Sequence, residues 1–243
     1  VKLLGVDFET TFSSNFDVKQ VRITEVGAVL MDWASKTPLE ILSTLVFAED
    51  YPSSPPELVE LTGITDEMLK TRGAVPKVAL LRLTQLLNEC DFAVAHNGTS
   101  FDRPIYFYEC QRHSLEPSKV QWIDTRTDIP FPKKISERKL IHLASAHGFI
   151  NPFQHRALFD VLTMMKILSY YDITQVVELA KQPLIHSIAR VSFQDKDKAK
   201  ERGYYWDGEK KAWFKPMKEG QFEQECKEAP FVCEKLLVQE TYL

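Results

Sequence analysis

Val1-Lys2-Leu3-Leu4-Gly5-Val6-Asp7-Phe8-Glu9-Thr10-Thr11 opens the chain with an apolar run that ends in two carboxylates. The first six residues are mostly apolar with a β-branched share, which suits a strand buried on both faces. Side chains at i and i+2 of a strand point to the same side, so Asp7 and Glu9 converge at its end. Like charges at the edge of a core repel each other and resist desolvation. A divalent cation is the common remedy, because hard oxygen ligands suit Mg²⁺ or Mn²⁺. Asp-x-Glu is also a frequent tripeptide that marks a solvated strand end, so the rest of the chain has to choose.

Downstream, residues 12–22 are polar and aperiodic and read as a loop. Residues 23–31 (ITEVGAVLM) and 41–48 (ILSTLVFA) are the next strands, joined by a hairpin connection over 32–38. Pro52, Pro55 and Pro56 break the chain, and short helices follow around 57–61 and 66–69, the second with Thr65 as its N-cap. Residues 76–88 (PKVALLRLTQLLN) carry apolar side chains at helical spacing. A strand over 90–95 leads into His96-Asn97-Gly98-Thr99-Ser100 and a helix over 100–112. Pro104 fits only the first turn of that helix, which puts Asp102 at its amino-terminal end, where the dipole favours an ionised carboxylate. A strand over 120–124, a helix over 137–147 stopped by Gly148, and an apolar helix over 157–171 complete the series. Three antiparallel strands followed by alternating helices and strands predict a mixed α/β domain, its later strands parallel, with helices on both faces.

Beyond a junction at 184–191, the spacing predicts a strand over 190–193 and a charged helix over 195–202. A hairpin around Asp207-Gly208 is flanked by aromatics. From Arg190 to Lys218, nine Lys or Arg stand against five Asp or Glu. That excess is interleaved with Tyr204, Tyr205, Trp206, Trp213 and Phe214, as a nucleic-acid surface would use. Large aromatics also build small cores, and the two readings coexist. The expected organisation is a domain over 1–183 and a small α+β module over 184–243, with Tyr205, Trp206, Lys210, Lys211 and Trp213 as candidate nucleic-acid contacts. Residues 198–215 resemble a small module of DNA-metabolism proteins.

The 243 residues, 44% hydrophobic and 26% charged, supply a core without staples. A net charge of -4 argues against a generally basic binder but leaves room for a local basic groove. Cys90, Cys110, Cys226 and Cys233 show no C-x-x-C spacing, which points to a reducing, cytoplasmic setting. No run reaches the length of a membrane span, and the first residues lack a signal pattern. The chain starts without Met, as a trimmed chain would.

Asp160 is flanked by Leu158, Phe159, Val161 and Leu162, so an acid there is costly to bury unless paired or metal-bound. His155 precedes it by five residues, about 140° away if both lay in one helix. If the helix begins after His155, the imidazole can fold back over the carboxylates, as a general base would. Four pieces now stand in order: Val6–Thr11, Leu61-Thr62-Gly63-Ile64-Thr65-Asp66-Glu67-Met68-Leu69, Ala95-His96-Asn97-Gly98-Thr99-Ser100-Phe101-Asp102, and His155-Arg156-Ala157-Leu158-Phe159-Asp160. In this order they resemble the DEDDh 3′→5′ exonucleases, the group of the bacterial DNA polymerase III proofreading subunit, RNase T, oligoribonuclease and exonuclease X. Gly98-Thr99-Ser100 is a mild departure that touches no ligand.

The resemblance implies an RNase H-like fold with a mixed five-stranded sheet and a 3′→5′ exonuclease releasing nucleoside 5′-monophosphates, DNA favoured. It further implies two divalent cations, Mg²⁺ or Mn²⁺, held by Asp7, Glu9, Asp102 and Asp160, with His155 as base. Phe8, Thr10, Leu61, Ile64 and Asn97 are the implied substrate contacts. Glu25 and Asp124 read as structural acids. The alternatives are a catalytically silent nucleic-acid-binding or adaptor protein and an RNA-directed 3′→5′ exoribonuclease.

Overall fold

The computed structural model describes residues 1–11, 18–132 and 134–237. Residues 12–17, part of the stretch read as a loop, lie outside them. Strands β1 (Lys2–Thr10), β2 (Ile23–Asp32) and β3 (Thr37–Leu45) form an antiparallel meander. Strands β4 (Phe92–Ala95) and β5 (Gln121–Asp124) add parallel on the other side of β1, giving the five-stranded order β3-β2-β1-β4-β5. The strand at the chain's start is therefore central, buried on both faces.

Alternation along β1 sorts the two faces. After the short helices α1 (Pro56–Thr62) and α2 (Asp66–Arg72), helices α3 (Pro76–Glu89) and α4 (Asp102–Arg112) cover a core that Leu4, Val6 and Phe8 join. Leu83, Leu86 and Leu87 of α3 are fully buried there, each contributing about 2 kcal/mol of apolar burial. Thr65 caps α2 by accepting the Met68 N–H, as its sequence position predicts. Leu3, Gly5, Asp7 and Glu9 alternate toward the opposite face. There α5 (Leu140–Ala146), α6 (Ala157–Leu168) and α7 (Ile173–Ala180) pack.

Helix α6 comes very close to the sheet. A Cβ on Gly27, the β2 partner of Asp7, would lie 2.4 Å from the Ala157 carbonyl carbon and the Leu158 nitrogen. A Cβ on Gly5 would meet Val161 Cγ1 at 2.7 Å. Gly27 thus lets the start of α6 rest on the backbone of β2, and Gly5 makes room for the Val161 and Met165 side chains further along it.

The predicted boundaries shift in several places. The strand expected from residue 90 begins at Phe92. The helix expected from residue 137 begins at Leu140, because the Glu137 carboxylate accepts the N–H groups of Arg138 and Lys139 in a turn ahead of it. The helix expected to reach residue 171 stops at Leu168, and Asp172 then caps a separate α7 by accepting the Thr174 N–H.

The carboxyl-terminal residues form a second sheet, four strands in the order β7-β8-β6-β9. Its strands are β6 (Leu184–Arg190), β7 (Tyr205–Asp207), β8 (Ala212–Lys218) and β9 (Val232–Leu237), with α8 (Lys196–Glu201) and α9 (Glu219–Glu228) beside them. The strand expected over 190–193 is instead β6, in the stretch read as a junction, and 191–193 lie outside it. Ile185, Ser187 and Ala189 alternate inward there. The hairpin at Asp207-Gly208 is present, its turn held by Asp207 Oδ1 accepting the N–H groups of Glu209 and Lys210. A buried ion pair joins the two sheets' surroundings: Lys218 Nζ lies 3.0 Å from Asp128 Oδ1 and donates to the carbonyls of Ala180 and Gln182.

Candidate active site

Asp7 and Glu9 stand on the α6 side of β1, and Asp160 comes down from the first turns of α6 to meet them. Each offers a carboxylate oxygen, and these three oxygens lie within 4.8 Å of one another. Asp102 opens α4 and is almost fully buried; its Oδ1 accepts the Phe8 N–H at 3.1 Å. Its Oδ2 is buried with no hydrogen-bond partner among the described residues.

So many acids at one point raise each other's pKa. Burial, then Asp102, Glu9 and Asp160, hold Asp7 well above the ordinary carboxylate range. Glu9 is pushed up to about 8 by burial, then by Asp160 and Glu25. Burial, then Asp124, takes Asp102 to about 8. Asp160 rises only to about 6: burial raises it, while the N–H groups of His155 and Arg156 and the Asn151 amide hold it down. An all-oxygen donor set in mutual repulsion, with one orphaned buried oxygen beside it, fits hard divalent cations.

A fifth acid is satisfied within the protein. Glu25, buried on β2, accepts Arg156 Nη2 at 2.8 Å and Nε at 3.1 Å, and the Ala157 N–H at 3.0 Å. The reading of Glu25 as structural agrees with this pairing, yet it also anchors the start of α6 that carries Asp160. Asp124 serves a similar end. It accepts the N–H groups of Asn97, Thr99 and Arg126, fixing the turn that leads into α4.

His155 precedes α6, whose N-cap is Arg156, and has a left-handed φ of 58°. The two positions are not in one helix, so the imidazole and Asp160 share one cleft of about 520 Å³. Burial lowers the His155 pKa, which favours the neutral ring a base requires. Asn151, Gln154, His96, Asn97, Arg126 and Arg138 also line this cleft. His96 is locked in place, with Nδ1 2.9 Å from Thr125 Oγ1 and Nε2 2.8 Å from the Arg138 carbonyl.

The remaining sequence candidates separate. Asn97 reaches the cleft, with φ 66° and its Oδ1 accepting Arg126 Nη1. Phe8 and Ile64 are buried side chains, and Thr10 is nearly so. Leu61 is half exposed on α1; neither it nor Ile64 lines the cleft. Sequence reasoning missed Asn151, Arg126 and the Arg156 partnership with Glu25. Arg156 sits inside the His155–Asp160 motif, but its partner is 131 positions away.

The model of the exonuclease family RNase T matches residues 4–168. The chain belongs to this family. Its sheet order, β3-β2-β1-β4-β5, is the mixed five-stranded arrangement expected from the sequence. Among solved structures, E. coli exonuclease I in complex with a dA16 oligonucleotide is similar at 17% identity and TM-score 0.62, over 82% of this chain and 50% of that one. The nuclease domain of 3'hExo, a DEDDh family member bound to rAMP, is similar at 18% identity and TM-score 0.55, over 70% and 90%. A 3'-exonuclease described for 3'-end specific recognition of the histone mRNA stem-loop gives 18% identity and TM-score 0.57, over 70% and 80%. This chain spans about half the length of the exonuclease I chain. No curated protein matches it in sequence.

Proposed function

We propose that the protein is a metal-dependent 3′→5′ exonuclease that releases nucleoside 5′-monophosphates from the 3′ end of a nucleic acid strand. The observation that carries this reading is the meeting of Asp7, Glu9 and Asp160, with the free oxygen of Asp102 beside them. These four would hold two divalent cations, Mg²⁺ or Mn²⁺, which when bound neutralise charge at the phosphodiester and align it for in-line displacement.

The chain's own groups do the rest. His155, which lines the cleft and whose pKa burial lowers, takes the proton of the attacking water. The water oxygen joins the phosphorus of the terminal nucleotide as the P–O3′ bond breaks. The leaving O3′ takes a proton from solvent water, so the shortened strand departs with a 3′-hydroxyl and the product carries the 5′-phosphate. Asn151 and the N–H groups of His155 and Arg156 fix the Asp160 carboxylate in place. DNA is the favoured substrate in this reading, in keeping with the fold likeness to exonuclease I in complex with a dA16 oligonucleotide. A catalytically silent adaptor would have no physical reason to keep four mutually repelling acids around one point.

The test is Mg²⁺-dependent digestion of a 5′-labelled oligonucleotide, with product analysis. The wild type yields a one-nucleotide ladder and 5′-mononucleotides; Asp7→Asn and Asp160→Asn abolish it. Undiminished trimming by either variant refutes the assignment.

A further inference from the structure

The cleft that His155 and Asp160 share is unevenly charged. Arg126, Arg138 and Lys139 line it, against a single carboxylate, Asp160. Elsewhere the chain neutralises its guanidinium groups internally: Arg82, Arg112, Arg156, Arg190 and Arg202 each meet a carboxylate. Among the described residues, Arg126, Arg138 and Lys139 meet none at ion-pair distance. The sequence candidates of the carboxyl-terminal module lie elsewhere. Tyr205, Trp206, Lys210 and Lys211 are exposed and Trp213 is half-buried, and none of them lines this cleft.

Both arginines are nevertheless held in place. Asp124 accepts the N–H groups of Asn97, Thr99 and Arg126, so its charge is spent on the turn and not on the Arg126 side chain. In that turn Arg126 Nη1 donates to Asn97 Oδ1 at 2.9 Å. Arg126 is exposed, and the rest of its five-donor fork has no partner among the described residues. Arg138 lies over the Phe131 ring at 4.4 Å, and its carbonyl meets His96 Nε2 at 2.8 Å. Its Nη1 is sealed from solvent with no hydrogen-bond partner among the described residues. His96 and Asn97 are neighbours in sequence, so one dipeptide ties both arginines to the same wall.

Uncompensated positive charge beside a centre that takes up dications works against that uptake, unless an anion enters the same space. The guanidinium fork matches two oxygens of a phosphate, whichever base the phosphate carries.

We propose that Arg126, backed by the charge of Arg138 and Lys139, seats the uncleaved phosphate that adjoins the scissile one. This deepens the exonuclease reading and rests on it for the register. An enzyme that removes the 3′-terminal nucleotide cuts at the last phosphate of the strand, so every other phosphate lies 5′ of the cut. A cleft of about 520 Å³ takes a ligand of drug size and not a long strand, which leaves the neighbouring phosphate as the one within it. The seat is backbone-reading: it positions the strand for the cut without selecting sequence.

The experiment is fluorescence anisotropy of the full chain with 5′-labelled tetrathymidylate in Ca²⁺, so that binding is read without turnover. One linkage at a time is replaced by an uncharged methylphosphonate. In the wild type, a replacement at the second linkage from the 3′ end weakens binding about ten-fold, the low end for a hydrogen bond between charged groups because Arg126 is exposed. A replacement at the third linkage has little effect. Arg126→Gln weakens binding of the all-phosphate strand about as much and lowers the slope of log affinity against log salt by about 0.7, one phosphate's share for a single strand. In that variant the penalty at the second linkage disappears, and Arg126→Lys restores the salt slope. Penalties that multiply, each acting whatever the other does, overturn the seat, as does wild-type affinity in Arg126→Gln. Competition by thymidine 5′-monophosphate tests the other source of a phosphate. If Arg126→Gln loses the mononucleotide while the second-linkage penalty persists, the group serves the product and the proposal fails. A wild type that trims nothing in Mg²⁺ sinks the exonuclease reading, whereas multiplying penalties in an active enzyme sink only the seat.

Discussion

Replacing Arg156 by Met tests how the site is held together. Glu25 is nearly sealed from solvent, with 3% of its side chain exposed, whereas Arg156 keeps 34%. Removing one partner of a buried pair typically costs about 3–5 kcal/mol, because the remaining charge is left without compensation. The part of the guanidinium in water screens the pair, and the Ala157 N–H still donates to Glu25 in the variant. The lower end, about 3 kcal/mol, is therefore expected. For a chain of this length that corresponds to a fall in Tm of roughly 6–12 °C. Arg156 also lowers the Glu9 pKa, so the loss should be larger in EDTA than in saturating Mg²⁺. Urea denaturation at neutral pH measures it. The double variant Arg156→Met with Glu25→Gln removes the stranded charge but keeps an acceptor for Ala157, and should recover most of the loss. A single variant that costs less than about 1 kcal/mol, or a double variant no better than the single, refutes this account of the anchor.

Other expectations follow from the same geometry. His155→Ala should keep Mn²⁺ affinity while the trimming rate falls by about 10²–10⁴; isothermal titration alongside single-turnover kinetics separates the two. Glu9 and Asp102 have folded pKa values of about 8, above their ordinary values of 4.5 and 3.8. Their contribution to metal-free stability is thus full below the ordinary carboxylate range and is lost as pH rises through about 8. Melting in EDTA should show that decline and saturating Mg²⁺ should flatten it; a metal-free profile that climbs over this range contradicts the assignment. Gly27→Ala drives a Cβ into the backbone of Ala157 and Leu158, for a loss of about 3 kcal/mol together with weakened Mn²⁺ binding, both readable by calorimetry.

The five-stranded sheet was legible because its signals are local. An apolar run on β1, β-branched residues on β2, and Pro104 confining Asp102 to the start of α4 each speak within a few residues. The pairing of Asp7 with Glu9 followed from strand alternation, and their meeting with Asp160 was implied by the family resemblance. What was not legible depends on distant partners. The strand β6 hides its alternation behind Ser187, a polar residue buried only because Tyr204 meets its hydroxyl. The basic stretch from Arg190 to Lys218 looks like a free surface until Glu225, Glu228 and Glu234 are folded against it. Ile64, proposed to meet substrate, is buried in the core, and no local pattern separates an exposed loop residue from one folded inward.

The Lys218 ammonium seated on Asp128 has a practical corollary for anyone wishing to shorten the protein. Asp128 Oδ2 also accepts the Asp124 N–H, and Asp124 in turn secures the bend ahead of Asp102. Cutting the chain after residue 183 would strip the cation from a submerged acid two steps removed from the carboxylates proposed to be catalytic. A fragment ending there inherits every presumed ligand and loses a brace that keeps one of them aimed.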